Sequence, residues 1–198
     1  MGNSVAYPVY RTTDPAEAYA KARLLCGLLA RRYAEVRVGA ELGTVADVRR
    51  MAALLPDAIY DHTGMRTHPE TGEFLYFEAD VRTATDAELG AAVPLEFVCT
   101  ELPAAGDEEE FVRAVGAGPA SISWEGCWPD EPELGSHASP KYDGVQLVLN
   151  SDECEWSRKV SEVHTVYVHV TKFGDAGRAE RLAAAIGGSV LGGPERGC

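Results

Sequence analysis

The sequence contains no long apolar run. None of its 198 residues lies in a stretch that approaches the ~18 apolar residues of a membrane-spanning helix. The first residues also lack the basic start and the apolar stretch of a secretory signal. We therefore expect a soluble, cytoplasmic protein that does not enter a membrane.

Closely spaced cysteines are absent as well. The chain has five cysteines, an odd number, and none of them belongs to a Cys-x-x-Cys pair. A disulfide framework needs paired cysteines, and structural zinc sites use ligand pairs about two to four residues apart. We therefore predict reduced cysteines and no metal site.

Three short signatures of enzymes are also missing. The chain has no Gly-x-x-x-x-Gly-Lys-Ser/Thr phosphate loop, no Gly-x-Gly-x-x-Gly dinucleotide turn and no Gly-x-Ser-x-Gly nucleophile elbow. Each of these motifs brings backbone N–H groups or a strained serine to the reacting group. Their absence predicts no cofactor and favours a protein that is not an enzyme.

Acidic residues, in contrast, are abundant and unevenly distributed. The net charge is −13, and residues 61–160 alone carry twenty-one Asp and Glu against six Lys and Arg. Binding to nucleic acid requires clustered Lys and Arg, so this segment excludes nucleic acid as the expected partner. A negative surface steers a positively charged molecule towards it, and we therefore expect a basic protein partner.

The spacing of apolar residues predicts both helices and strands. Asp14 and Pro15 are typical of a helix start, and apolar residues then recur every three or four positions as far as Val36. Thr44 is predicted to cap a second helix, and the alternating run 74–81 predicts a strand. Further elements are predicted as strands at 5–10, 93–102, 120–125, 145–149, 163–171 and 189–191, and as helices starting at Asp107 and Asp175.

This mixture favours an α+β fold. Helices separate the strands early in the chain, and strands adjoin one another later. We predict a mixed or mainly antiparallel sheet with helices packed on one face, or two βαβ-like halves. Residues 1–198 are expected to form one domain with an irregular acidic loop at about 126–143.

Lys141, Tyr142, Asp143 and Gly144 form a Lys-x-Asp-Gly sequence. It resembles the signature of nucleic-acid ligases and capping enzymes, in which the lysine attacks a nucleotide phosphate. Members of that family carry an arginine two residues after the glycine, where this chain has Gln146. A turn that leads into the following strand explains Asp143 and Gly144 without catalysis.

His169, Val170 and Thr171 form a His-x-Thr sequence inside an alternating strand. It resembles one half of the 2H phosphoesterases, in which two such motifs direct two imidazoles at one phosphate as general base and general acid. The second match in this chain is His137-Ala138-Ser139, which lies in the irregular loop. The resemblance therefore implies His169, Thr171 and His137 as catalytic candidates.

Aromatic and acidic residues flank the loop at 126–143. Rigid aromatic side chains provide contact area in protein interfaces, and carboxylates attract a basic partner. The alternative interpretation is that the tryptophans anchor a long loop to the core. The candidate binding residues are Trp124, Trp128, Asp130, Glu131, Glu133 and Tyr142.

Three functions are compatible with these features. The leading hypothesis is a non-enzymatic cytoplasmic binding protein, such as an immunity or antitoxin-type neutraliser that covers a basic site on its partner. The second is a phosphoesterase-like enzyme that uses His169 and Thr171 with a second histidine. The third is a small-molecule binding module whose apolar pocket is lined by Trp124, Trp156, Phe77 or Tyr167.

Overall fold

A computed structural model describes residues 4–64, 66–102, 107–155 and 160–197. The predicted α+β class is confirmed, since 27% of the chain is helical, 31% is strand and the sheet is antiparallel. The helices are α1 (Pro15–Cys26), α2 (Val45–Leu54), α3 (Asp86–Ala92), α4 (Asp107–Ala114) and α5 (Ala176–Ala185). The strands are β1 (Val5–Thr12), β2 (Arg31–Leu42), β3 (Asp61–His62), β4 (Arg66–Thr67), β5 (Phe74–Leu75), β6 (Leu95–Glu101), β7 (Ala120–Cys127), β8 (Gly144–Leu149), β9 (His164–Val170) and β10 (Glu195–Arg196). Within the described residues, no helix has the length and apolar character needed to cross a membrane.

The chain divides into two compact units. The first unit comprises Met1–Arg37 and Pro119–Cys198, and the second comprises Val38–Gly118. Compactness alone does not show whether two units fold separately. The expectation of a single domain over residues 1–198 therefore stays a prediction.

The first unit is built around the strands β10-β1-β9-β8-β7-β2, in that order. Strand β9 lies between β1 and β8, and all seven of its residues are buried. Helix α1 packs against β1, β8 and β9, and its Tyr19 ring lies 6.3 Å from the ring of Trp124. Because side chains alternate across a strand, Trp124 and Val168 share one face of the sheet, and Gln146, Tyr167 and His169 share the other.

The boundary between the units falls within β2, and the second unit contains residues 38–42 of this strand, the strands β6 and β3, the separate hairpin β4–β5 and the helices α2, α3 and α4. Helix α2 begins as predicted, because the Thr44 hydroxyl accepts a hydrogen bond from the N–H of Asp47. The Asp47 carboxylate accepts the N–H of Thr44 in return. This reciprocal pair satisfies two donors that the first turn of a helix would otherwise leave unpaired.

The predicted long first helix is wrong in its second half. Helix α1 ends at Cys26, and residues 31–42 form β2. Val36, Val38, Ala40 and Leu42 are buried at every second position, which is the period of a strand. The three- and four-residue spacing that predicted a continuous helix matches the two-residue period of the strand only at isolated positions.

The predicted strand over 74–81 is also wrong in its extent. Only Phe74 and Leu75 pair as a strand, and the residues that follow run without regular structure. Helix α3 was not predicted, although Thr85 caps it and Glu88 completes the reciprocal pair. The last strand forms at Glu195–Arg196 rather than at 189–191.

Candidate functional site

Two of the predicted binding residues lie in the core rather than on the surface. The side chains of Trp124 and Trp128 are each only 1% exposed. Trp128 donates its indole N–H to the carbonyl of His169 at 2.8 Å. These tryptophans therefore hold the loop to the sheet and offer no area to a partner.

Most of the polar residues of the loop at 126–143 bind within the loop or to α5. Asp130 accepts the backbone N–H of Ala138 at 2.8 Å, and Glu131 accepts a hydrogen bond from Arg181 at 2.7 Å. Glu133 is exposed and Tyr142 is half-buried. The loop thus presents fewer carboxylates to a partner than its sequence suggests.

Asp143, the carboxylate of the Lys-x-Asp-Gly sequence, has a structural role. It accepts the backbone N–H groups of Ser139 at 2.7 Å and Trp128 at 3.0 Å. Burial raises its pKa, and these two hydrogen bonds act against that shift. Gly144 is needed because a Cβ atom there would lie 2.6 Å from the carbonyl oxygen of Trp124.

Arg178 of α5 connects the helix to the same loop. Its guanidinium donates to the carbonyls of His137 and Pro129, both at 2.9 Å. Its Nε lies 3.6 Å from Glu131 and 3.8 Å from Asp175. The residue is 1% exposed, so this cation is buried and depends on these partners.

The His169 imidazole is enclosed by polar side chains. Its Nδ1 lies 2.8 Å from Ser4 Oγ, and its Nε2 lies 3.0 Å from Gln146 Oε1. The side chain of Gln146 is fixed by Cys154. The Cys154 thiol donates to Gln146 Oε1, and the Cys154 carbonyl accepts a hydrogen bond from Gln146 Nε2. We call Ser4, His169, Gln146 and Cys154 the buried polar network.

The three residues implied by the phosphoesterase resemblance are not brought together by hydrogen bonds. His169 binds Ser4 and Gln146, whereas His137 is exposed and lies 3.8 Å from Asp130. The Thr171 hydroxyl accepts the N–H of Phe173 in the turn after β9. Both ring nitrogens of His169 thus face partners inside the protein.

Two of the residues named for a small-molecule pocket, Trp124 and Tyr167, are separated by the sheet. Trp124 and Tyr167 are both buried and lie on opposite faces of the sheet in the first unit. Phe77 belongs to the second unit, and Trp156 lies outside the described residues. In the part of the chain that the structure describes, no group of three His, Cys, Asp or Glu residues is arranged to hold a metal ion.

The surface of the second unit offers a different site. Phe74, Leu75 and Tyr76 follow one another along the hairpin and are 56%, 43% and 65% exposed. Ile59 is also exposed, and the Asp61 carboxylate, two residues later, accepts the N–H of Phe77 at 2.9 Å. We call the region 57–80 the acidic hairpin segment, because it carries six Asp and Glu against one Arg.

Most of the net negative charge of the chain lies in this second unit. Residues 38–118 contain sixteen Asp and Glu against five Lys and Arg, a net charge of −11. The first unit has fifteen against thirteen, a net charge of −2. An exposed aromatic hairpin therefore lies on a strongly negative unit.

The buried imidazole predicts a loss of stability in acid. Burial lowers the pKa of His169 to about 4, whereas the unfolded side chain titrates near 6.5. Between these values the unfolded state binds a proton that the folded state excludes, so stability falls as the pH is lowered from 6.5 to 4, by roughly 3 kcal/mol.

Urea unfolding measured from pH 7.5 to 4 checks this expectation. His169→Gln should flatten the dependence of stability on pH, and part of the dependence that remains comes from His164, whose pKa burial also lowers. If stability depends on pH as steeply in His169→Gln as in the parent protein, the loss of stability in acid does not come from His169.

The sequence pattern did not indicate two of the features described above. Ser4 is separated from His169 by 165 positions, and no motif links them. Phe74, Leu75 and Tyr76 were predicted as part of a half-buried strand, whereas the structure exposes all three.

No protein-family model, curated protein or solved structure matches this chain.

Proposed function

We propose that this chain is a cytoplasmic protein-binding protein, of the neutraliser type found among immunity proteins and antitoxins, that covers a basic site on its partner. The observation that carries the proposal is the placement of a net charge of −11 on one compact unit that also exposes Phe74, Leu75 and Tyr76. Aromatic side chains supply contact area at an interface, and the surrounding charge selects a positive partner.

The acidic hairpin segment suits this role better than the loop at 126–143. Trp128 of the loop and Trp124 of β7 are buried, and Glu131 of the loop is paired with Arg181. In the acidic hairpin segment, Glu70 and Glu78 are exposed, as are the aromatic side chains of Phe74 and Tyr76. A partner would therefore bury Phe74 and Tyr76, while carboxylates at the rim meet its Lys and Arg side chains.

Replacing the two aromatic residues tests the location of the interface. Phe74→Ser with Tyr76→Ser should reduce partner binding at least tenfold, because the exposed rings would no longer be available for burial. The matched control is Phe173→Ser with Leu191→Ser, which removes two exposed apolar side chains from the first unit. Both variants should unfold at the same urea concentration as the parent protein.

The binding measurement begins with capture from a lysate of the source organism, followed by mass spectrometry and titration with the purified partner. We expect a partner with an isoelectric point above about 9 that binds the control variant as tightly as the parent. An acidic partner, or equal binding by the hairpin variant, would contradict the proposal.

A further inference from the structure

The edge of the sheet in the second unit is only partly covered. Strand β6 runs from Leu95 to Glu101, and β3, the last strand in this order, pairs only with Leu95 and Glu96. Among the described residues, no other strand lies along this side of β6. Residues 97–101 therefore form an open edge, which we call the β6 edge.

The hydrogen bonds beside β3 determine which backbone groups point outward. The N–H of Thr63 donates to the carbonyl of Pro94 at 3.2 Å, so this carbonyl points to the side of β6 that β3 occupies. Backbone groups of an antiparallel strand alternate between its two sides, and those of Val98 and Thr100 therefore point the same way as the carbonyl of Pro94. Each of these two residues presents an N–H donor and a C=O acceptor beyond the end of β3.

The chain before β3 leaves this edge because it is held to the end of α2. The N–H of Ala58 donates to the carbonyl of Leu55 at 3.3 Å, and the hydroxyl of Tyr60 donates to the same carbonyl at 3.0 Å. The buried Tyr60 ring packs against Phe97 with 5.5 Å between the ring centroids. These contacts fix the residues that would otherwise continue β3 alongside Val98.

Carboxylates surround the β6 edge. Glu96 precedes it, Glu101 ends it, and Asp61 of β3 is paired with Glu96. Burial and the charge of Glu96 raise the pKa of Glu41 in β2, so these two carboxyls repel each other. A second copy of this chain would bring another unit of charge −11 against this one. The charge therefore disfavours pairing of two copies and favours a strand rich in Lys and Arg.

We propose that the β6 edge takes up an extended, basic segment of the partner as an additional β-strand. This inference rests on the proposed function, since it concerns the same basic partner. Val98 and Thr100 supply the main-chain hydrogen bonds that give such pairing its affinity, and the nearby carboxylates select Lys and Arg side chains. The edge continues the acidic hairpin segment, because β3 belongs to that segment and its Asp61 accepts the N–H of Phe77.

Amide exchange in the protein alone tests whether the edge is open. The N–H groups of Val98 and Thr100 should exchange with solvent at least a hundredfold faster than that of Phe97, which points towards β2. Heteronuclear NMR resolves the individual amides. Protection of Val98 and Thr100 equal to that of Phe97 would show that the edge is already covered and would overturn the proposal.

A synthetic peptide of alternating lysine and valine, about seven residues long, is the probe for strand addition. It should slow the exchange of the Val98 and Thr100 amides at least tenfold. The same peptide with methylated backbone nitrogens has no N–H to donate and should have no effect. A peptide with glutamate in place of lysine should also leave exchange unchanged. Equal effects of the lysine peptide and its methylated form, or no protection by the lysine peptide, would overturn the proposal.

Two substitutions at Val98 separate the backbone from the side chain. Val98→Pro removes the outward N–H, whereas Val98→Ala keeps this N–H and removes an exposed side chain. Val98→Pro should weaken binding of the lysine peptide and of the partner at least tenfold, and Val98→Ala should bind both like the parent protein. Urea unfolding checks that the variants fold. If Val98→Pro does not fold, the exchange measurements on the parent protein decide the question.

The hairpin variant separates this inference from the proposed function. If Phe74→Ser with Tyr76→Ser loses the partner while Val98→Pro retains it, strand addition is wrong and the proposed interface remains. If neither variant loses the partner, the proposed function fails as well. Loss of the partner in both variants, with Val98→Ala unaffected, is the result that strand addition predicts.

Discussion

Replacing Arg178 by methionine is expected to lower the free energy of unfolding by about 3–5 kcal/mol, the usual cost of removing one partner from a buried charge cluster. Methionine retains the apolar part of the side chain but donates no hydrogen bonds. The carbonyls of His137 and Pro129 would lose their donors, and Glu131 and Asp175 would lose a neighbouring cation. Urea unfolding at pH 7 measures the change.

Arg181→Met is the matched control, since Arg181 lies one turn further along α5 and is also paired with Glu131. Its side chain is 38% exposed, so the loss should stay below about 1 kcal/mol. In Arg178→Met the loop at 126–143 should also become a site of proteolytic cleavage, because its buried anchor to α5 is removed and only the more exposed pair of Glu131 with Arg181 remains. Equal losses of unfolding free energy in the two variants would show that burial does not determine how much Arg178 stabilises the fold.

The second large effect concerns the rate at which the partner binds. Changing Glu70, Glu73 and Glu78 to glutamine should lower the association rate constant about tenfold at low salt, because long-range attraction accelerates encounter by roughly 10- to 1,000-fold. The dissociation rate should change less, since the aromatic contact remains. Surface plasmon resonance with the captured partner resolves the two rate constants.

Two control variants, one with three changes and one with two, locate the effect. Glu35, Glu162 and Glu180 are exposed acids of the first unit, and changing them to glutamine removes the same total charge. Asp130→Asn with Glu133→Gln alters the exposed acids of the loop at 126–143. If either control lowers the association rate as much as the triple change in the acidic hairpin segment, the interface is not located there.

Much of the fold could be predicted from local sequence signals. Asp14, Thr44 and Asp175 cap the helices they were expected to cap, because a short polar side chain before an apolar run satisfies the first free N–H groups. The alternating residues of β9 predicted a strand correctly. Local signals failed at Val36, because this residue fits both the helical spacing of the apolar residues before it and the alternating spacing of those after it. Only pairing within a sheet decides between the two structures.

The candidate sites were harder to predict, because they depend on which distant residues meet. Trp124 and Trp128 look the same in sequence whether they face solvent or the core, and the structure buries both. The excess of acidic residues was visible between 61 and 160, yet that window crosses the boundary between the units. Grouping the charges by unit assigns −11 to residues 38–118.

The association rate constant of the partner, measured between 20 mM and 500 mM salt, tests the central claim most directly. Recognition through the negative surface of residues 38–118 predicts a steep decrease in this rate as salt screens the charges, with little change in dissociation. An association rate that does not vary with salt would contradict the claim that this charge selects the partner.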